Sequence, residues 1–107
     1  MRILLDECAP RRLRRELPGH DVRTVPEMGW SGKKNGELLA LMTTQGFEVL
    51  LTVDQNLRYQ QNLQAAGLAL IVLVGASSRL ADLAPLMASV QAALVSIEPG
   101  DIVEITD

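Results

Sequence analysis

Residues 68–74 read LALIVLV, an aliphatic run with no polar interruption. A strand with one face in water alternates apolar and polar side chains, so this run predicts a strand that is covered on both faces. Such strands are typical of parallel sheets with helices packed on each side. The run is well short of the roughly 18 to 20 apolar residues that a membrane-spanning helix needs. We therefore expect a layered α/β domain with this strand at or beside the centre of its sheet.

Strand and helix signals alternate along the rest of the chain. Other strands are predicted over residues 2–5, 20–25, 47–54 and 100–106. Helices are predicted over residues 10–17, over residues 35–46, and along an apolar stripe formed by Leu80, Leu83, Met87, Val90 and Leu94. Pro85 predicts a kink or a later start in the last of these helices.

This order of elements predicts the fold class. Five strands with intervening helical segments indicate a three-layer α/β fold, in which a mostly parallel, five-stranded, Rossmann-like sheet is flanked by helices. Residues 1–107 are expected to form a single domain, since no repeat or linker interrupts them. Aromatic residues make up only 3% of the chain and apolar residues 48%, so its core is expected to be aliphatic.

The cysteine count and the N-terminus bear on location. Cys8 is the only cysteine, which excludes an internal disulfide and a cysteine-based zinc cluster and favours a reducing compartment. Asp6 interrupts the first apolar stretch too early for a signal peptide. We expect a cytoplasmic protein that does not enter the membrane. Beside two acids, Cys8 is expected to be a small buried side chain and not a nucleophile.

Positive charge is concentrated in the first third of the chain. The formal net charge is −3, which argues against a generic polyanion-binding protein, yet only Arg58 and Arg79 carry positive charge beyond residue 34. The basic residues predicted to contact phosphates are Arg11, Arg12, Arg15, Lys33 and Lys34. The alternative for the arginines is a solvated helix face over a buried stripe of Leu13 and Leu17.

Acidic residues follow two of the predicted strands. Asp6 and Glu7 come directly after the first strand, and Asp54 ends the third. Because the carboxyl ends of parallel strands meet at one edge of a sheet, these acids are expected to lie there together. Glu37 opens the helix before the third strand and is expected to point towards the same edge. Each acid alone is more typical of a turn or a helix cap than of a metal site.

Carboxylates held close together remain ionised only when a cation neutralises them. Oxygen ligands favour hard ions, so the acids predict a Mg²⁺ or Mn²⁺ site that can hold a phosphodiester, activate water and stabilise the leaving oxygen. Trp30 lies in a glycine-rich loop, where its ring is expected either to stack on a base or to cover the core or a partner.

Three segments together resemble the PIN-like domains, a family of small metal-dependent ribonucleases that includes toxins of bacterial toxin–antitoxin pairs. They are ILLDECAP at the start, SGKKNGELLALM, and VLLTVDQNL with its strand-Thr-x-Asp pattern. The resemblance covers nearly the whole chain. It implies Mg²⁺ or Mn²⁺ as cofactor, RNA as substrate, and phosphodiester hydrolysis by a metal-bound water. The protein partners expected are a small antitoxin and a second copy of the chain.

The resemblance also assigns residues to the site. The metal-binding and catalytic acids would be Asp6, Glu37 and Asp54, with Glu7 as an auxiliary metal ligand. Related domains often have acids where this chain has Asn35 and Asn56. These two residues are auxiliary polar candidates, and neutral amides bind a divalent cation less strongly than carboxylates.

Two other functional classes compete with an active nuclease. A phosphoryl-accepting receiver domain has acids at similar places, but it needs a lysine after its last strand, and no lysine follows Lys34. A non-catalytic PIN-like domain would bind RNA or protein and have a degenerate metal site. Asn35 and Asn56 favour that second alternative.

Overall fold

The computed structural model of the protein describes residues 1–33, 35–55 and 63–106, and only the backbone at residue 35. Within these residues, strands and helical segments alternate as predicted. The strands are β1 (Arg2–Leu5), β2 (Asp21–Thr24), β3 (Val49–Thr52), β4 (Ala69–Val74) and β5 (Ile102–Thr106). The α-helices are α1 (Asn35–Thr44), α2 (Leu63–Ala66), α3 (Leu80–Leu83) and α4 (Met87–Leu94). No helix among the described residues is long and apolar enough to cross a membrane.

The five strands form one sheet in the order β2-β1-β3-β4-β5, and each neighbouring pair is parallel. The predicted α/β class is therefore confirmed, with an entirely parallel sheet. The run at residues 68–74 forms β4, beside the central strand β3, as its unbroken apolar pattern predicted. The chain order reverses between β1 and β3, and ligands of such sheets bind in the crevice outside the carboxyl ends of the strands at that point.

Each face of the sheet carries its own apolar core, because successive side chains of a strand point to opposite faces. On one face, Ile3 and Leu5 pack with the segment from α3 to α4. On the other face, Leu4 packs with α1 and with Trp30. Trp30 is 8% exposed, and its ring meets the ring of Phe47 edge-on at 5.8 Å. Of the two interpretations of Trp30, the structure therefore supports the one in which the ring covers the core.

Residues 11–16 form a 3₁₀ helix, named here the arginine helix (Arg11–Glu16). It is shorter than the predicted helix over residues 10–17. Pro10 and Pro18 flank this segment and limit it to a few backbone hydrogen bonds. The Leu13 N–H donates to the Pro10 carbonyl at 3.1 Å, in the i→i+3 pattern of a 3₁₀ helix. Leu13 is completely buried in the apolar core that contains Ile3 and Leu5, and this packing fixes the arginine helix on the sheet.

The segment after β4 also confirms a prediction from sequence. Another 3₁₀ helix, Ala84–Leu86, separates α3 from α4 and contains Pro85. Proline has no N–H group and its ring clashes with the preceding turn, so a continuous α-helix is interrupted there. The apolar stripe of this segment faces the core across the interruption.

Replacement of Leu13 by alanine should destabilise the protein by about 2–5 kcal/mol, because it leaves a cavity under the arginine helix. Urea-induced unfolding measures the loss. Arg12→Ala is the matched control, since Arg12 is exposed on the same helix, and its effect should stay within about 0.5 kcal/mol. Equal effects of the two substitutions would show that the arginine helix is not anchored by Leu13.

Candidate functional site

Asp6 lies at the carboxyl end of β1 and is fixed to the neighbouring strand. Its backbone N–H donates to the Leu51 carbonyl at 2.9 Å, which extends the β1–β3 pairing by one residue. Its Oδ2 accepts a hydrogen bond from Thr52 Oγ1 at 2.7 Å, and its Oδ1 accepts one from the Glu7 N–H at 2.8 Å. Both oxygens of this half-buried carboxylate are therefore held in place.

Thr52 is the last residue of β3, and its side chain is completely buried. A hydroxyl has one hydrogen to donate and two lone pairs to accept. Because the Thr52 hydrogen goes to Asp6, the same oxygen accepts from the Asp54 N–H at 3.0 Å and faces Cys8 Sγ at 3.6 Å. We call these hydrogen bonds the Asp6–Thr52–Asp54 network. It lies between β1 and β3, at the reversal of chain order.

Cys8 takes part in the network as a protonated thiol. Burial of the sulfur raises the pKa of the Cys8 thiol, and the negative charge of Asp6 raises it further. A thiol in this state can donate to the remaining lone pair of Thr52. The residue as a whole is exposed, so the expectation of a buried side chain was wrong. The turn after β1 carries Cys8 outwards while its sulfur stays beside Thr52.

The other two predicted acids lie at the surface. Glu7 is exposed, and its Oε1 accepts a long hydrogen bond of 3.4 Å from the Gly32 N–H. The Glu37 side chain is 58% exposed, with an oxygen 3.8 Å from Lys33 Nζ. Glu37 thus lies outside the buried face of α1, which is formed by Leu38, Leu39 and Met42, and its orientation towards the edge of the sheet stays a prediction.

A cleft of about 490 Å³ opens beside Asp6, and we call it the Asp6 cleft. Acidic and basic side chains share its walls. Its lining residues are Asp6, Glu7, Ala9, Arg11, Arg14, Thr24, Pro26 and Glu27. The cleft therefore combines carboxylates, which suit a cation, with guanidinium groups, which suit the oxygens of a phosphate.

Sequence reasoning missed Glu27, which follows β2 on this edge of the sheet. One of its oxygens, Oε1, accepts from the Thr24 N–H at 2.8 Å and from Arg14 Nη1 at 3.0 Å. The bond from Thr24, followed by the charge of Arg14, lowers the pKa of the Glu27 carboxyl. The Glu27 N–H donates back to Thr24 Oγ1 at 3.2 Å. The Thr-x-x-Glu spacing of a capping box was the signal that could have found this pair.

The arginine helix carries charge that is not neutralised by the described residues. Arg11, Arg12 and Arg15 are exposed, and no carboxylate of the described ranges pairs with them. Together with Arg14 they line a shallow groove of about 310 Å³, named here the arginine groove. Arg11 lines both this groove and the Asp6 cleft. Of the predicted lysines, Lys33 lies beside Glu37, and Lys34 lies outside the described residues.

Comparison with known proteins decides the family. A family profile described as "PIN like domain" matches residues 1–74, which include β1 to β4. The chain belongs to the PIN-like domain family. Searches of curated proteins and of solved structures found no significant match. The PIN-like domain is a nuclease-type fold, and the matched residues include Asp6, Thr52 and Asp54.

The oxygen donors of this PIN-like domain fit a hard divalent cation in part. Asp6 and Asp54 follow the ends of neighbouring strands, and Mg²⁺ is usually held by one or two carboxylates with water at its other positions. Among the residues that the structure describes, no three acidic, histidine or cysteine side chains form a group that could hold a metal. Glu7 and Glu37 as ligands therefore stay predictions. Asn56 and the side chain of Asn35 lie outside the described part of the chain.

Replacement of Thr52 by valine keeps the volume of this buried side chain but removes the hydroxyl. The bonds to Asp6 and from the Asp54 N–H are lost, and we expect a loss of about 1–3 kcal/mol in the free energy of unfolding. Thr44→Val is the matched control, because within the described part of the chain the exposed Thr44 hydroxyl bonds only to the Ala40 carbonyl in its own helix. Similar stability of the two variants in urea would contradict a structural role for the network.

Proposed function

We propose that this PIN-like domain is a metal-dependent ribonuclease that hydrolyses RNA phosphodiesters. The observation that carries the proposal is the position of Asp6. Its carboxylate is fixed by Thr52 at the crevice between β1 and β3, and it lines a cleft that also contains Arg11. An acid for a cation and an arginine for a phosphate thus lie on the walls of one cleft.

Asp6 and Asp54 are proposed to hold Mg²⁺ or Mn²⁺, with Glu7 and Glu37 as the further ligands that the family resemblance implies. The bound ion would supply positive charge to a phosphate oxygen and acidify a water molecule. The residues of the chain contribute the geometry. Thr52 keeps the Asp6 carboxylate from rotating, and the backbone of Asp54 is tied to the same hydroxyl. Such fixed groups need little reorganisation during a reaction.

The arginine groove is proposed to bind the phosphates of the RNA beside the scissile bond. Arg11, Arg12 and Arg15 supply guanidinium groups without carboxylate partners in the described ranges, whereas Arg14 is paired with Glu27. Contacts of this kind orient a nucleic acid without reading its sequence. Lys33 and Lys34 are proposed to extend the basic surface. RNA as the substrate rests on the family resemblance.

A non-catalytic RNA- or protein-binding domain is the second candidate. The observation that favours it is that the described residues contain no group of three metal-binding side chains. Asn35 and Asn56 support it as well, because both are neutral where related domains often have acids. The two candidates differ in whether a metal binds and in whether RNA is cleaved.

A role as the toxin of a toxin–antitoxin pair is also proposed from the family resemblance. It implies a cytoplasmic protein whose partner is a small antitoxin. A growth defect on expression, relieved by a neighbouring small gene, would support this role. The possibility that the chain pairs with a second copy would be decided by its mass in solution.

Metal binding by Asp6 and Asp54 should stabilise the folded protein. A ligand at about 100 times its dissociation constant contributes about 2.7 kcal/mol if it binds only the folded state. The melting temperature of the protein should therefore rise with Mg²⁺ or Mn²⁺ concentration, and Asp6→Asn should remove the rise. Glu16→Gln should keep it, because it removes an exposed carboxylate away from the Asp6 cleft. A melting temperature that no metal concentration changes would contradict the metal site.

Cleavage of RNA tests the catalytic proposal directly. The purified protein with Mn²⁺ should cleave RNA, and Asp54→Asn should lower the rate by orders of magnitude with the fold retained. The substitution removes a ligand charge, a loss expected to cost several kcal/mol of transition-state stabilisation at about 1.4 kcal/mol per tenfold. Circular dichroism checks the fold of each variant.

The control for this assay is again Glu16→Gln, purified in parallel, which should keep the full rate. EDTA should abolish cleavage by both the parent and the control. Activity that persists in Asp54→Asn or in EDTA would indicate a contaminating nuclease and would favour the non-catalytic candidate.

A further inference from the structure

The period of the arginine helix sorts its four arginines into two rows. With three residues per turn of a 3₁₀ helix, side chains three positions apart lie above one another. Arg11 and Arg14 therefore form one row, and Arg12 and Arg15 form the other. The cavities agree with this arrangement. Arg11 and Arg14 line the Asp6 cleft, whereas Arg12 and Arg15 line the arginine groove but not the cleft.

The two guanidinium groups of the row in the cleft differ in their partners. Arg14 Nη1 donates to Glu27 Oε1 at 3.0 Å. Arg11 is exposed, and no carboxylate within residues 1–33, 35–55 and 63–106 pairs with it. A guanidinium group in this state keeps its planar set of N–H donors for the oxygens of an anion. The donors of Arg11 are therefore the ones in this cleft that a phosphate can take up in full.

A tight turn keeps the backbone of Arg11 close to Asp6. The Ala9 N–H donates to the Asp6 carbonyl at 3.0 Å, and the Leu13 N–H donates to the Pro10 carbonyl at 3.1 Å. Ala9 is buried and lines the cleft, and Leu13 is buried in the core. The backbone on both sides of Arg11 is thus fixed to the end of β1. The Arg11 side chain therefore starts from a fixed point on the wall that it shares with Asp6.

The position of each arginine relative to Asp6 decides which phosphate it can contact. In the proposed function, the phosphate that is hydrolysed lies at the carboxylate of Asp6. A water oxygen forms a bond to phosphorus, the bond from phosphorus to the leaving oxygen breaks, and the leaving oxygen takes a proton while the water loses one. Donors that are already aimed at the other phosphate oxygens stabilise the charge of this transition state.

We propose that Arg11 is a catalytic residue that binds an oxygen of the phosphate being hydrolysed. Arg12 and Arg15, in the other row, bind only neighbouring phosphates of the strand. One short helix thus acts on the rate of the reaction with one row and on the affinity for RNA with the other. This inference rests on the proposed ribonuclease function, in which all three arginines bind phosphates beside the scissile bond, and it moves Arg11 to the scissile phosphate itself.

Steady-state cleavage of single-stranded RNA in Mn²⁺ tests this division. Arg11→Ala should lower kcat by about 100-fold or more, because a donor aimed at the transition state is lost. Arg15→Ala should raise KM and leave kcat unchanged, because it removes a contact that is equally strong in the bound substrate and in the transition state. Arg11→Lys should recover part of the lost kcat, since lysine restores the charge without the planar group of donors.

The melting temperature adds a measurement that does not depend on cleavage. Arg11→Ala should keep the rise of the melting temperature with Mn²⁺, because Arg11 is proposed to contact the phosphate and not the cation. Arg79→Ala is the matched control for the kinetics. Arg79 is an exposed arginine that lines neither cavity, and its removal changes the net charge by the same amount. Its kcat and KM should equal those of the parent.

Three results would overturn the inference and leave the proposed function standing. The first is a change in Arg11→Ala that is confined to KM, with kcat as in the parent. The second is an equal loss of kcat in Arg11→Ala and Arg15→Ala, which would show that the rows do not differ. The third is a loss of the Mn²⁺-dependent rise in Arg11→Ala, since its effect would then come from the metal site. A parent protein that cleaves no RNA would contradict the proposed function as well.

Discussion

The hydrogen bond from Thr52 to Asp6 is the interaction on which the candidate site depends. It joins two strands that lie next to each other in the sheet but 46 positions apart in sequence. The Thr52 oxygen is completely buried, so an unpaired hydroxyl there would be costly, and Asp6 and the Asp54 N–H satisfy it. The Thr52 oxygen therefore both satisfies buried groups between the strands and holds the Asp6 carboxylate and the Asp54 backbone in place.

Around this network the protein separates charges that it uses for folding from charges that are available to a ligand. The Glu27 carboxylate accepts hydrogen bonds from Arg14 and from the backbone N–H of Thr24 in β2. These bonds hold the loop that follows β2 in place. Arg11, one turn earlier on the arginine helix, has no such carboxylate among the described residues and lines the Asp6 cleft. One short helix thus supplies the same cleft with a structural ion pair and with a guanidinium group that no described carboxylate neutralises.

Several features were predictable because they depend on local pattern. The aliphatic run of β4 predicted a strand with both faces covered, and Pro85 predicted the interruption between α3 and α4. The pattern of the sequence did not show how exposed the Glu37 side chain would be. Neighbouring positions of a helix differ by about 100°, so the buried position of Leu38 leaves Glu37 at the surface beside Lys33. The Glu27–Arg14 ion pair forms because the loop after β2 packs beside the arginine helix. The periodicity of apolar residues does not predict such a contact between a loop and a helix.

The sequence alone determined that Asp6 and Asp54 reach one edge of the sheet. Strand pattern fixes the elements, and parallel strands bring their carboxyl ends together whatever their order. Only the tertiary structure decided that β1 and β3 are neighbours, so that one hydroxyl, that of Thr52, bonds to both acidic residues. It likewise decided that Cys8 directs its sulfur to that hydroxyl. The physical reason is that a hydrogen bond needs contact at about 3 Å, and strand order, not spacing in the chain, sets which residues meet.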